Sequence, residues 1–200
     1  MKKILCIFIF LAFCNSSYSQ KSCFDTAMAY RYQYMNRTPI EFDSLLYYLK
    51  KGQEMIVGCT FPNDTFTTVT NKRLALDSFP GKILVINFWS IYCPPCVNEI
   101  PSFHKLKETY PDVEVLAFTL DSRKDITQYL SKHQFNAQII ADARDFKKNY
   151  SLDNGYPFTI LVGKDRKILF AKSGGLASPE HQLDLFDELS PLIEKNLKNK

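Results

Sequence analysis

The stretch from Ile83 to Pro101 constrains the fold more than any other part of the chain. It begins with the apolar run Ile83–Ile86, which is typical of a strand buried on both faces. A Cys-Pro-Pro-Cys sequence follows at Cys93–Cys96, and apolar residues then recur at helical spacing. The sequence therefore predicts a buried strand that leads through two cysteines into a helix.

The position of these cysteines at a predicted helix start favours redox chemistry. With Cys93 as the N-cap, Pro94 takes the first helical position, where a missing N–H costs least. Cys96 then lies one turn further on, within bonding distance of Cys93, and the helix N-terminus favours the thiolate of the first cysteine. A structural zinc site or an inert disulfide is the alternative. Zinc usually takes four ligands, and the sequence has no second Cys-x-x-Cys and no His pair.

Residues 1–19 have the pattern of a secretory signal peptide. A basic start, Met1–Lys3, precedes the apolar run Ile4–Phe13, and Ser17 and Ser19 fit a cleavage site before Gln20. The apolar run is about half as long as a membrane-spanning helix needs to be. We therefore expect a periplasmic or otherwise exported protein.

A lipid anchor at Cys14 is the alternative to cleavage after Ser19. The bulky Phe13 stands where a lipoprotein signal has a small residue, which argues against it. Membrane association is expected only if the N-terminus is retained or lipidated.

The charge and the cysteine content limit the classes of molecule that can be partners of this protein. The formal net charge of +4 is spread along the chain without a basic block, so nucleic acid and anionic membranes are poor partners. After cleavage the cysteines are Cys23, Cys59, Cys93 and Cys96. Because disulfides persist outside the cytoplasm, we expect partners among exported thiols and disulfides, with an electron donor that the sequence does not identify.

The mature chain divides into an N-terminal extension, residues 20–52, and a main domain, residues 53–200. In the extension, Tyr30, Tyr32 and Tyr34 alternate with polar residues, which indicates a short amphipathic strand or a half-buried aromatic face. The segment Thr38–Glu41 resembles a capping box, and the helix that follows is expected to end at Gly52.

Beyond the Cys-Pro-Pro-Cys helix, the chain alternates between strand and helix patterns. The predicted elements are strand Val113–Leu120, helix Ser122–Phe135, strand Ile139–Ile140, a helix capped by Asp142 and reaching Tyr150, the hairpin strands Phe158–Val162 and Lys167–Lys172, and a helix from Pro179 that Pro191 breaks or kinks. This order predicts an α/β protein with a thioredoxin-like fold, in which helices flank a central mixed sheet.

The ordered motifs resemble those of exported thioredoxin-like thiol-disulfide oxidoreductases of the TlpA/ResA type. The resemblance covers residues 53–200. It depends on Gly81-Lys82 before Asn87-Phe88-Trp89, on Glu99 and Pro101 behind the Cys-Pro-Pro-Cys, and on Gly155-Tyr156-Pro157 before the terminal hairpin.

The resemblance implies a role for each matching residue. Cys93 would be the attacking thiol and Cys96 the resolving thiol, and together they would form the redox disulfide. Pro157 would be a cis-proline that faces this dithiol. Glu99 would be the proton-handling carboxylate, because Asn87 stands where cytosolic thioredoxins keep a buried Asp.

Partner binding would involve the residues around the dithiol, namely Tyr92, Pro94, Pro95 and Tyr156. Tyr92 departs from the family pattern because it replaces the usual Trp, and Phe158, after the cis-proline, departs from it because it replaces a common Thr. Both departures lie where a partner would dock, so they affect partner identity more than chemistry. Pro101 is expected to kink the active-site helix.

The function implied is that of an exported reductant of partner disulfides, with neither cofactor nor metal. Apocytochrome c, as in cytochrome c biogenesis, another redox enzyme, and exported thiols in general are candidate substrates. Two alternatives remain. One is a copper metallochaperone that uses the cysteines and a distant His. The other is a thiol peroxidase, for which Ser90-Ile91-Tyr92 lacks the supporting Thr and Arg.

Three further residues have expected roles outside the chemistry. Trp89, the only tryptophan, is predicted in the core, near enough to Cys93 for its fluorescence to report the redox state. Cys23 and Cys59 are either a free pair or a disulfide that fixes the extension to the domain.

Overall fold

The computed structural model describes residues 23–35, 41–152 and 154–198. The predicted signal peptide and most of the predicted capping box at residues 38–41 lie outside the described residues. The helices are α1 (residues 23–35), α2 (Phe42–Ile56), α3 (Pro94–Asn98), α4 (Ile100–Thr109), α5 (Arg123–Leu130), α6 (Arg144–Tyr150) and α7 (Asp184–Lys198). The strands are β1 (Thr65–Thr67), β2 (Arg73–Ala75), β3 (Ile83–Phe88), β4 (Val113–Phe118), β5 (Gln138–Ile140), β6 (Phe158–Val162) and β7 (Ile168–Ser173).

A five-stranded mixed sheet in the order β5-β4-β3-β6-β7 forms the centre of the molecule. Strands β3, β4 and β5 are parallel, while β6 runs antiparallel to β3 and β7 antiparallel to β6. Phe88 at the end of β3 pairs with Phe158 at the start of β6. The segments that follow β3 and precede β6 therefore meet at one edge of the sheet. Strands β1 and β2 form a separate antiparallel pair.

Side chains of β3 alternate between two apolar cores, because successive residues of a strand point to opposite faces. Leu84, Ile86 and Phe88 contribute to one core, together with α1, the end of α2, and α6. Ile83 and Val85 contribute to the other core, which α4, α5 and α7 cover. All six β3 residues are buried, as the apolar run predicts. The predicted fold class, a thioredoxin-like mixed sheet flanked by helices, is confirmed.

Helix α1 contains the three alternating tyrosines, so of the two interpretations that the sequence left open, the short amphipathic strand is wrong. The buried positions of this helix are Phe24, Ala27, Arg31 and Tyr34, which have helical spacing. The alternation of tyrosines was misleading because the buried face includes Arg31, and arginine normally indicates a solvent-exposed position.

Helix α2 continues to Ile56, so the prediction that Gly52 ends it is wrong. Gly52 instead allows a close approach between helices, since a Cβ atom there would lie 2.9 Å from Cδ of Arg31. The helix crosses the predicted boundary between residues 52 and 53, and the division into domains stays a prediction.

Three predicted helix ends also differ from the structure. Helix α5 has the predicted Ser122 cap but ends at Leu130. Helix α6 begins after Ala143, while Asp142 has a φ of 53° and accepts a hydrogen bond from the backbone N of Arg123 instead of capping α6. Helix α7 continues through Pro191, with apolar side chains buried on both sides of it. Among the described helices, none has both the length and the apolarity needed to cross a bilayer.

Candidate active site

The loop that follows β3 is held by Asp121, which lies just beyond the end of β4. One carboxylate oxygen of Asp121 accepts a hydrogen bond from the Ser90 hydroxyl at 3.0 Å, and the other accepts from the backbone N of Ile91 at 2.8 Å. The Ser90 hydroxyl oxygen in turn accepts from the backbone N of Tyr92 at 3.1 Å. Sequence reasoning missed Asp121, although an Asp directly after a buried strand was a signal for it.

Cys93 is the N-cap of α3, as the sequence predicts, and Pro94 is the first helical residue. Cys93 and Cys96 form a disulfide, and the backbone N of Cys96 donates to Cys93 Sγ at 3.3 Å. Cys96 is only 2% exposed, whereas Cys93 is half-buried. Cys93 is therefore the more accessible of the two cysteines.

The predicted kink at Pro101 takes the form of a break between two helices. Helix α3 ends at Asn98 and α4 starts at Ile100, with Glu99 between them as the N-cap of α4. Pro101 lies in the first turn of α4, where its missing N–H leaves no helical bond unmade.

The Tyr156–Pro157 peptide bond is cis, as the resemblance implies. Because β3 and β6 pair at Phe88 and Phe158, this bond lies at the same edge of the sheet as the dithiol loop. The carbonyl of Pro157 accepts a hydrogen bond from the backbone N of Gly174 at 2.9 Å. Tyr156 is half-buried, and this burial raises the pKa of its hydroxyl.

Glu99 is a buried carboxyl group, with 8% of its surface exposed. Its Oε2 atom has no hydrogen-bond partner within the described part of the chain. A Cβ atom on Gly175 would overlap Oε1 of Glu99 and would lie 3.3 Å from Cγ of Pro157. The backbone at Gly175 thus covers Glu99 beside the cis-proline.

Burial raises the pKa of Glu99 from its ordinary value of 4.5 to about 7. The positive charge of Lys172 lowers this pKa and the negative charge of Glu188 raises it, and these two residues form an ion pair with each other. A cavity of about 210 Å³ lies beside Glu99 and is also lined by Lys172, His181 and Asp184. Glu99 therefore has a pKa suited to proton transfer near neutral pH and a cavity beside it.

The remaining predicted site residues surround the dithiol with different exposures. Tyr92 is 75% exposed and lines a second cavity, of about 260 Å³, against α5. Pro94 is exposed and Pro95 is half-buried. Asn87 is buried and donates to the Thr159 hydroxyl at 3.0 Å, which gives it a structural partner.

A second disulfide joins Cys23 to Cys59 at the opposite end of the sheet. The backbone carbonyl of Cys59 accepts from the backbone N of Ile168, the first residue of β7, whereas Ser173 at the other end of that strand is near the dithiol edge. Of the two arrangements left open by the sequence, the structure has the disulfide, and it fixes α1 to the domain. In residues 23–35, 41–152 and 154–198, no three His, Cys, Asp or Glu side chains gather as a metal site.

The family model described as AhpC/TSA matches residues 57–171, which is more than half of the chain. The chain belongs to the AhpC/TSA family. The matched span contains the Cys-Pro-Pro-Cys loop, Glu99 and the cis-proline loop.

Two proteins similar in sequence to this chain have names that describe a thiol-disulfide activity or a thioredoxin-like fold. A protein of Bacillus cereus named thiol-disulfide oxidoreductase ResA is 27% identical over 126 residues, which cover 61% of this chain and 72% of the relative. The thioredoxin-like protein YneN of Bacillus subtilis is 26% identical over 145 residues, covering 69% of this chain and 85% of the relative.

A solved structure shows the same fold. The solution structure of a thiol:disulfide interchange protein from a Bacteroides species has a TM-score of 0.57 at 21% identity, covering 69% of this chain and 90% of that one. The TlpA/ResA resemblance is confirmed, and this AhpC/TSA member is a thiol-disulfide oxidoreductase of the thioredoxin fold.

Proposed function

We propose that this protein is an exported reductant of partner disulfides whose reactive group is the Cys93–Cys96 dithiol. The observation that carries the proposal is the asymmetry of the two sulfurs. Cys93 is half-buried at the helix start and accepts the N–H of Cys96, while Cys96 is 2% exposed. An accessible sulfur can attack a partner, and a buried one can only resolve the bond that results.

The reaction consists of two thiol-disulfide exchanges. The Cys93 thiolate attacks one sulfur of a partner disulfide, forming a mixed disulfide and releasing the other partner sulfur as a thiolate. The Cys96 thiolate then attacks Cys93 Sγ, forming the Cys93–Cys96 disulfide and releasing the second partner sulfur. Two electrons pass from this dithiol to the partner, and a dithiol donor outside the chain must return them.

The two prolines point to a reducing dithiol. Lowering a thiol pKa from about 8.5 to about 7 requires roughly 2 kcal/mol of differential stabilisation. Pro94 and Pro95 have no N–H to offer the sulfur, so the N–H of Cys96 is the hydrogen-bond donor that the first turn provides. We expect a midpoint potential below about −180 mV, the disulfide isomerase value, and a higher potential would contradict a reductant.

Glu99 is proposed to accept the proton of the Cys96 thiol as that sulfur becomes the attacking thiolate. Its pKa of about 7 matches the operating range of such a base. We further propose that Pro157, Tyr156, Tyr92, Pro94 and Pro95 contact the partner chain. If Glu99→Gln left the pH dependence of disulfide reduction unchanged, the proton-transfer role would be excluded.

The decisive experiment is trapping of the mixed disulfide. Cys96→Ser should accumulate a covalent complex with insulin, or with exported proteins of the host, that dithiothreitol releases. Cys93→Ala and the double variant with Cys93→Ala and Cys96→Ser are the matched controls and should trap nothing. Equal trapping by Cys93→Ala, or undiminished insulin reduction by it, would refute the assignment of Cys93.

Export through residues 1–19 is tested separately from the chemistry. A cleaved chain beginning at Gln20 in the periplasmic fraction is the expected result, measured by N-terminal mass analysis. A lipid on Cys14, or a full-length chain in the cytoplasm, would contradict it.

A further inference from the structure

One buried side chain of α2 reaches the two loops that flank the candidate active site. The Gln53 amide is buried, with 8% of the residue exposed. Its Nε2 atom donates to the Ser173 hydroxyl at 2.7 Å and lies 3.4 Å from Oδ1 of Asn154. These contacts span 120 and 101 positions of sequence, so a single amide joins three distant segments.

The two partners of Gln53 each lead directly into the site. Ser173 ends β7 and precedes Gly174, whose N–H bonds to the Pro157 carbonyl, and Gly175, which covers Glu99. Asn154 begins the short loop that carries Tyr156 and the cis-proline, and its side chain is anchored to the Ser151 carbonyl at 3.0 Å. A change in the position of Gln53 would therefore be transmitted to the Ser173–Gly175 wall of the Glu99 cavity and to the loop that carries the cis-proline.

The helix that carries Gln53 is itself firmly attached. Gly52 packs against the aliphatic part of Arg31 on α1, and Ile56 is fully buried in the core. Helix α1 is tied to the far end of the sheet by the Cys23–Cys59 disulfide. Helices α1 and α2 are thus attached to the domain by packing and, through α1, by a covalent bond.

We propose that Gln53 is a positioning residue, through which the N-terminal helices hold the Ser173–Gly175 segment closed over Glu99. The inference deepens the proposed function and rests on it, because a fixed cover over Glu99 matters for catalysis only if Glu99 transfers a proton to or from the dithiol.

The electrostatic surroundings of Glu99 give the direction of the effect. The charged groups that face it come from β7, the turn before α7, and α7 itself: Lys172, His181, Asp184 and Glu188. Burial is the largest cause of the raised pKa of Glu99. A loosened cover admits water to the carboxyl group, so the pKa of Glu99 falls towards its ordinary value.

The test uses Gln53→Met, which keeps the size of the side chain and removes its hydrogen bonds. The carboxyl carbon of Glu99 is titrated by NMR in protein labelled with ¹³C-glutamate, with the signal assigned through Glu99→Gln. We expect the titration midpoint to fall by roughly half a pH unit or more. Ser173→Ala, which removes one of the bonds at little cost in volume, should shift the midpoint in the same direction by less.

Glu54→Gln is the matched control, because Glu54 is an exposed neighbour on α2 that pairs with Lys51. It should leave the midpoint unchanged. The pH profile of insulin reduction should shift with Gln53→Met, and this shift should vanish in the Glu99→Gln background.

An unchanged Glu99 midpoint in Gln53→Met and Ser173→Ala, with only the melting temperature lowered, would reduce Gln53 to a structural residue and overturn the proposal. A kinetic shift that persists without Glu99 would overturn it as well. The NMR titration needs no substrate, so a wild-type protein that fails to reduce disulfides would refute the proposed function and not the coupling between Gln53 and Glu99.

Discussion

Replacing Glu99 by Gln should make the stability of the protein less dependent on pH. The residue is only 8% exposed, and one of its carboxyl oxygens has no hydrogen-bond partner among the described residues. Gln has nearly the same shape as Glu but carries no charge at any pH. The substitution therefore removes the cost of burying a carboxylate while leaving the packing against Gly175 in place.

The magnitude follows from the two pKa values. Burial raises the pKa of Glu99 from 4.5 to about 7, so between these values the folded protein binds a proton that the unfolded chain has lost. Stability consequently falls as the pH rises through this window, is not lowered by Glu99 below it, and stays lowered by a constant amount above it. The fall amounts to about 3 kcal/mol, since each pH unit of displacement corresponds to about 1.4 kcal/mol.

Urea unfolding of the oxidised protein at pH values from 4 to 8 measures this effect. Relative to wild type, Glu99→Gln should gain about 3 kcal/mol between pH 4 and pH 8, or roughly 1.5 M in the urea midpoint at an m-value of about 2 kcal/mol/M. Glu108→Gln, at an exposed position near the end of α4, is the control and should run parallel to wild type. A constant difference between Glu99→Gln and wild type over the whole range would show that Glu99 ionises alike in the folded and unfolded states, and would refute the reasoning.

Three other predictions concern the core, the second disulfide and the cover of Glu99. Trp89 is fully buried in the core cluster that contains Cys96, so its fluorescence should change when the dithiol is reduced, and an unchanged spectrum would contradict this expectation. Removing the Cys23–Cys59 disulfide, which closes a separation of 36 residues, should lower the free energy of unfolding by up to about 4 kcal/mol in urea titrations, and an unchanged urea midpoint would mean that the bond does not constrain the chain. Gly175→Ala should displace the Glu99 carboxyl group and lower its pKa by NMR titration; an unaltered midpoint would mean that the backbone does not cover it.

The local features of the site were predictable because they depend on short-range rules. The apolar run of β3, the cap at Cys93 and the proline at the first helical position all follow from residues within one strand or one turn. The terminal hairpin was equally clear, since β6 matches its predicted limits and β7 differs by one residue at each end. The cis bond before Pro157 was available only through the family resemblance.

The extension was less predictable because its buried face mixes polar and apolar residues. In α1 that face includes Arg31, which obscured the helical period. In α2 the helix itself was predicted, but its buried end includes Gln53, which the apolar spacing does not indicate. The usual rule for glycine after a helix places a helix end at Gly52, whereas this residue allows close packing between the two helices. Such residues are explained only by partners that lie far away in the sequence.

The pKa of Glu99 also depends on contacts with residues far away in the sequence, so the motif around the cysteines does not predict it. The spacing from Cys96 places a carboxyl group near the dithiol but says nothing about its charge. Its pKa of about 7 arises from burial beneath Gly175, a residue 76 positions away, and from the opposing charges of Lys172 and Glu188. A chain with the same Cys-Pro-Pro-Cys and the same Glu, but with a looser segment after β7, would keep the motif and have an ordinary carboxylate. The pKa of Glu99 therefore depends on the segment that follows β7 as much as on the helices that flank Glu99 in sequence.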